Sequence, residues 1–255
     1  MNPLNCVCIK WGAAYSTDYV NRLFRAVKRN TERDVRFFCM TETADGLDAG
    51  INHIPLTEQP YEADMLKAQK HVRKTNGALR KIAIFNPALF AEVNGPVLAL
   101  DLDIVITGNL DDLYDFSPEH VCMRGPFAPD AKPHTFGEGS VVKFDPKLHG
   151  FLYDEMASDP VGAVNAAQGS EQTYTSSQAH SRGVFSEFPE EWIVSFKRHC
   201  RPKRPFNLFH SPVLPENARI ACFHGAPNVD AAENGYRTDP LHSTRKCQWI
   251  TDHWY

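Results

Sequence analysis

Leu4 to Trp11, LNCVCIKW, is a short apolar run that reads as a strand, with Gly12-Ala13-Ala14 as the loop after it. A helix follows. Ser16 or Thr17 can cap it, Asp18 suits its positive end, and Val20, Leu23, Phe24 and Val27 recur at helical spacing. Val35 to Met40 reads as a second strand and Ile51 to Leu56 as a third, and this strand-helix-strand opening is typical of parallel sheets. Tyr61 to Asn76 has a mixed, mainly helical pattern. Leu79 to Phe85 is a clearer helix, with Leu79, Ile82, Ala83 and Phe85 inward and Pro87 as its stop, because the residue before a proline disfavours the α region. Val97 to Leu100, after the turn pair Gly95-Pro96, is apolar at every position and reads as a strand buried on both faces.

The second half alternates in the same way. His120 to Arg124 and Ser140 to Phe144 are candidate strands on either side of a Pro-rich loop, Gly125 to Gly137. Asp145-Pro146 looks like a cap and first-turn pair opening a helix with Leu148, Phe151, Leu152 and Met156 inward. Ser158 to Gly169 is small and loop-like, and a helix begins near Ser170. Trp192, Val194 and Phe196 alternate as in a strand, and Arg219 to Phe223 is the last strand, ending at His224-Gly225. The pattern is that of an α/β protein. No internal repeat or linker divides it.

Length and charge narrow the classes. At 255 residues the chain can bury a full core, and one domain over 1–255 is expected. A formal charge of -4 gives no global basic field to attract nucleic acid, so no nucleic-acid partner is expected. There is no 18-residue apolar stretch, hence no transmembrane segment, and Lys10 and Trp11 interrupt the first apolar run, so a cytoplasmic location is expected. Peripheral membrane contact stays open. The seven cysteines include no C-x2-C pair, which suggests neither a disulfide framework nor a zinc site, and Cys6 and Cys8 read as small buried hydrophobes on one strand face.

The candidate chemistry starts at Asp101-Leu102-Asp103, where the apolar strand ends. Ionised carboxylates at the end of a buried strand are costly without a cation or donor to meet them. A hard divalent ion, Mn2+ or Mg2+, which takes oxygen ligands and keeps contact with a substrate's phosphates, is the natural partner. Ligands of parallel sheets bind beyond the carboxyl ends of the strands, so Lys10 to Tyr15 and Asp101 to Asp103 are expected to face one crevice.

Two families place D-x-D after such a strand. Asp101 to Ile106 resembles the haloacid-dehalogenase phosphatase motif, but that motif opens its chain, and here 100 residues come first. Thr107-Gly108-Asn109-Leu110-Asp111-Asp112-Leu113-Tyr114 instead resembles the sequel found in family 8-type, retaining glycosyltransferases of the GT-A fold. That resemblance implies a Rossmann-like, mostly parallel sheet flanked by helices. It also implies a metal-dependent transferase that moves a hexose from a nucleotide sugar, UDP-linked, to an unidentified glycan, lipid or small-molecule acceptor, with retention.

The same resemblance assigns further residues. His224, in Cys222-Phe223-His224-Gly225, looks like the third metal ligand beside Asp101 and Asp103, Asp101 also meeting the ribose, with Leu102 and Gly225 beside the nucleotide. Lys10, Trp11, Gly12 and Tyr15 look like the nucleotide loop, and Lys81 like the cation on the sugar phosphate. Gly169-Ser170-Glu171-Gln172-Thr173 matches the segment near the anomeric centre, with Gln172 able to stabilise developing positive charge and Glu171 the local carboxylate nucleophile if a double displacement operates. The chain departs from the pattern at Asn228-Val229, where the family often has Lys-Pro, and at Glu138 to Val142, where the acceptor-side asparagine is missing. Residues 197 to 204 carry five Lys or Arg and read as a solvated loop, or as a contact for diphosphate, an acidic glycan or a lipid head group. Trp249 and Trp254 read as packing residues. Two other readings remain: a nucleotide-sugar-binding protein without turnover, and a phosphatase using Asp101 as nucleophile, against which the absence of a later Gly-Asp-x3-Asp motif counts.

Overall fold

A computed structural model describes residues 2–72, 78–127, 134–237 and 243–255. In chain order it forms β1 (Leu4–Lys10), α1 (Thr17–Arg29), β2 (Val35–Thr41), β3 (Ile51–Pro55) and α2 (Glu62–Val72). Two 3-10 turns, Ala78–Phe85 and Pro87–Phe90, lead to β4 (Val97–Leu100), β5 (Ile104–Ile106), α3 (Asp111–Asp115), β6 (Val121–Arg124) and β7 (Glu138–Phe144). Helices α4 (Phe151–Ser158), α5 (Pro160–Ala166) and α6 (Glu171–Ser181) precede β8 (Phe185–Phe188) and β9 (Ile193–Ser195). The chain closes with β10 (Ile220–Cys222), α7 (Val229–Asn234), β11 (Tyr236–Arg237), β12 (Ser243–Thr244) and α8 (Gln248–His253).

Seven strands make the main sheet in the order β3-β2-β1-β4-β7-β6-β8. β3, β2, β1 and β4 run parallel, whereas β7 is antiparallel to both β4 and β6, and β8 is parallel to β6. A second sheet, β5-β10-β9, lies after the D-x-D turn. Period-2 alternation explains the two-sided burial. Leu4, Cys6 and Cys8 of β1, with Leu98 and Leu100 of β4, face one apolar cluster with α1 and the small sheet; Val7, Ile9, Val97 and Ala99 face another with the residues of α2, α4 and the Ala78–Phe85 turn. All seven cysteines are buried, Cys6 and Cys8 among them as expected of small hydrophobes on one strand face.

α1 and the strands β1 to β4, β6, β7, β9 and β10 lie where the pattern puts them, within a residue or two, whereas β5, β8, β11 and β12 are not anticipated by it. Other elements differ. Leu79 to Phe85 winds as a 3-10 rather than an α-helix, and Lys81 is buried on it along with Leu79, Ile82, Ala83, Ile84 and Phe85. The helix expected from Asp145-Pro146 begins only at Phe151, leaving Leu148 55% exposed instead of inward. Asp145 closes a local turn instead: its Oδ1 accepts from Lys147 N (2.8 Å) and its N–H donates to His149 Nδ1 (2.8 Å). The expected loop at 158–169 contains α5, because Asp159 accepts from Gly162 N (2.9 Å) and Pro160 takes the first helical position. Phe196 is not a strand residue but opens a π-type turn, Phe196–Cys200, closed by Ser195 N donating to His199 Nδ1 (2.9 Å). Positions 73–76 of the expected helix and 128–133 of the Pro-rich loop lie outside the described residues. Among the described residues no helix is long and apolar enough to cross a membrane.

Candidate functional site

The crevice forms where the main sheet changes direction. β1 has β2 on one side and β4 on the other, so the carboxyl ends of β1 and β4 flank the switch point at which α/β sheets receive ligands. Lys10 ends β1. Asp101 follows β4, its N–H bonded to Ser140 O at 2.9 Å as the last rung toward β7. The chain then turns through Leu102 into β5 of the small sheet. Leu102 is buried in the core, while Asp101 and Asp103, one residue to either side of it, are partly buried.

A cavity of about 280 Å3 sits at this point, lined by Lys10, Trp11, Tyr15, Lys81, Asp101, Leu102, Asp103 and Glu171, together with Ile9, Ala14 and Ala78. Eight of the residues singled out in the sequence therefore meet at one place. Gly12, Gln172, His224 and Gly225 do not line it. Gly12 stands in the exposed loop at φ +60°, its N–H donating to Glu42 Oε1 (2.9 Å), a partner at the end of β2 that no local pattern announces. Gln172 follows Glu171 at the start of α6, its Cβ 3.3 Å from where a side chain on Gly139 would begin.

Charge at the site is strongly coupled. Lys81 donates to Asp101 Oδ1 at 2.6 Å and to the Gly139 carbonyl. Burial pulls the Lys81 pKa down, but the charges of Asp101, Glu171 and Asp103 outweigh it and hold it above its ordinary value. Arg80, beside it, pairs with Glu62 (2.6 Å) and points away from this chemistry. Glu171, in the first turn of α6 behind the Ser170 cap, is buried; burial, and then Asp101's charge, raise its pKa against the pull of Lys81 and of a hydrogen bond from Thr175 Oγ1 (3.0 Å). Asp103 accepts from Tyr15 Oη at 3.0 Å. Burial and the neighbouring Asp101 charge lift Asp103 to about 7, with Tyr15 and Lys81 opposing.

His224 lies one step beyond the β5–β10 ladder. Cys222 pairs with Ile104, and Phe223 N donates to Asp103 O at 3.0 Å, so His224 follows directly on the strand that borders Asp103. Its Nε2 is buried with no hydrogen-bond partner, and its ring lies 5.1 Å from that of Phe127. Burial, reinforced by Lys197 and Arg198, holds its pKa below the usual histidine value, favouring the neutral ring. Lys197 donates to the His224 carbonyl and stands beside Gly225, whose φ of +64° suits glycine. Local pattern missed this contact, although Lys197 belongs to the basic run at 197–204.

Among the described residues no three His, Cys, Asp or Glu side chains are gathered closely enough to hold a metal ion. Asp101 and Asp103 at the end of β4 and His224 after β10 do not close a ligand cage, and Asp101 is held by Lys81. Their chemistry nonetheless fits a hard or borderline divalent cation: two carboxylates, one with its proton held unusually tightly, and an orphaned neutral imidazole nitrogen.

Neither a family model nor a curated protein sequence matches the chain. Solved structures do. The fold is similar to that of the galactosyltransferase LgtC in complex with donor and acceptor sugar analogues, with a TM-score of 0.60, 12% identity and 89% of each chain covered. An active-site glutamine-to-glutamate mutant of LgtC matches equally, at TM-score 0.60, 13% identity and 89% of each chain. The bifunctional glycosyltransferase WbbM, in its apo form, matches at TM-score 0.57 and 11% identity over 89% of this chain and 47% of its own. At these identities the likeness establishes the fold: the α/β architecture of GT-A type expected from the sequence is the one observed.

Proposed function

We propose that the protein is a metal-dependent glycosyltransferase that moves a hexose from a nucleotide sugar, most simply a UDP-sugar, to a separate acceptor. The observation that carries this reading is the cavity at the β1–β4 switch point, where the D-x-D carboxylates meet the Lys10-to-Tyr15 loop, Lys81 and Glu171. Asp101, Asp103 and His224 would hold Mn2+ or Mg2+, which when bound neutralises charge on a departing diphosphate.

The chain's own groups supply the rest. Trp11, half-buried at the cavity, offers a ring face for a base, and the exposed Gly12 backbone allows close approach. Lys81 keeps its proton among three carboxylates, and so provides a fixed positive charge where a phosphate would sit once Asp101 has another partner. Gln172, at the start of α6, is the group proposed to stabilise positive charge at the anomeric carbon, and Glu171 the neighbouring carboxylate. LgtC has an active-site glutamine whose change to glutamate was worth a structure of its own. Retention follows only if the reaction proceeds as in that group.

Binding without turnover is favoured by one observation, the Lys81–Asp101 ion pair, in which an internal cation already occupies a proposed ligand. Calorimetric titration of UDP, GDP and a panel of nucleotide sugars, with Mn2+ and with chelator, tests both readings. Metal-dependent binding of one nucleotide is expected, lost in Asp103→Ala while the circular dichroism spectrum is kept. Unchanged affinity in that variant would sink the assignment. Release of free sugar or transfer product on prolonged incubation then separates an enzyme from a binding protein.

A further inference from the structure

Between Glu191 and Glu216 the chain holds no acidic residue, yet Lys197, Arg198, Arg201, Lys203 and Arg204 fall there, in a protein whose formal charge is -4. The same stretch contributes Phe206, 59% exposed, Phe209, 68% exposed, and Val213, 69% exposed. Among the described residues seven large hydrophobic side chains are exposed, and the three most open of them are these, within eight positions of one another. Arg198, Lys203 and Arg204 are exposed around them.

This segment is anchored. Arg201 N donates to Phe196 O (2.9 Å), His210 N to Phe206 O (2.9 Å) and Val213 N to Cys200 O (3.0 Å), so the chain doubles back on itself. Asn207, buried between the two exposed phenylalanines, donates to Ser243 O (2.9 Å), and Arg245 Nη1 reaches the Phe209 carbonyl at 3.4 Å. The fold thus spends hydrogen bonds to hold two phenyl rings and a valine in water. A patch like this marks an interaction surface. Its composition selects the partner: exposed apolar side chains in a stretch that carries five Lys or Arg and no Asp or Glu match the boundary of a bilayer carrying anionic head groups. There the rings enter the acyl edge, and Lys and Arg meet phosphates.

We infer that residues 197–213 form a docking surface for an anionic membrane. Lys197, at the head of the segment, is bonded to the His224 carbonyl, so docking would bring the lipid surface next to the candidate site without using the cavity itself.

Co-sedimentation of the full chain with vesicles tests this, using phosphatidylcholine alone and phosphatidylcholine with about 30% phosphatidylglycerol, at about 0.1 M and about 0.5 M salt. At least about ten-fold stronger partitioning to the anionic vesicles is expected, falling as salt rises. Phe206→Ser with Phe209→Ser, and separately Lys203→Glu with Arg204→Glu, should each weaken it about ten-fold, with melting temperature and nucleotide titration unchanged. No binding to either vesicle overturns the inference, as does equal binding to neutral vesicles. Binding that survives the phenylalanine changes overturns it too, and identifies the segment as a site for soluble polyanions. Because the vesicle assay needs no donor, its failure is separable from failure of the transferase reading.

Discussion

Asp103 is where the electrostatics of the site converge. Burial first, and then the charge of Asp101, bring its pKa to about 7, against roughly 3.9 in an unfolded chain. Between about pH 4 and pH 7 the folded protein therefore binds more protons than the unfolded one, so the stability contributed by protonated Asp103 is lost as pH rises through that window. Without divalent cations, Asp103→Asn should remove this component. Discounted for partial exposure, the variant should gain about 1–2 kcal/mol relative to the parent between pH 5 and pH 8. Thermal melts in chelator across that range check it, and an equal loss at both ends would mean that the carboxyl is not held in its acid form. The orphaned nitrogen of His224 belongs to the same balance: a neutral imidazole without a partner costs desolvation that a ligand can recover.

Elements meet most tightly where β7 passes α6. A Cβ on Gly139 would collide with Glu171 Oε2 and stand 3.3 Å from the Gln172 Cβ, while the Gly139 carbonyl receives the Lys81 ammonium. Gly139→Ala should cost about 1–3 kcal/mol and also weaken nucleotide binding, because Glu171 and Lys81 must move together. Gly183→Ala, at φ +70° in open space, should cost about 1 kcal/mol and leave binding alone. Denaturant unfolding paired with nucleotide titration separates the two. Helix placement in this half of the chain turned on one repeated dipeptide. Asp145-Pro146 and Asp159-Pro160 carry the same start signal, and only the second is used as a cap. His149 takes the Asp145 N–H, and Asp145 caps Lys147 in a turn, so the first signal is spent locally.

At the scale of the whole molecule, the D-x-D turn joins two sheets, and the apolar cluster beneath it is closed by the C-terminal residues. Trp254 is fully buried, edge-on to Tyr19 at 5.3 Å, and its carbonyl accepts from Arg22 Nη1 at 3.0 Å. Tyr19 and Tyr15 are in ring contact at 5.1 Å, and Tyr15 donates to Asp103. Trp254→Ala should therefore cost about 3–5 kcal/mol. Calorimetric unfolding measures the loss. Nucleotide affinity should change much less than stability, since two rings separate Trp254 from the carboxylate.

Local chemistry was enough for the parts governed by neighbours in sequence. The alternation of β1 and β4, the apolar stripe of α1, the stop before Pro87 and the carboxylates at the end of a buried strand are all set within a few residues, and the parallel opening follows from them; Ser16 stands at the start of α1 but makes no side-chain cap bond. The crevice was legible for the same reason: strands that run parallel put their carboxyl ends on one side. The tertiary structure alone decided the rest. Lys81 meets Asp101 across 20 positions, Lys197 meets the His224 carbonyl across 27, and Arg22 meets Trp254 across 232. Each of these contacts satisfies a charge or carbonyl that folding takes out of water, and the partner is whichever group the packing of distant elements delivers to that point.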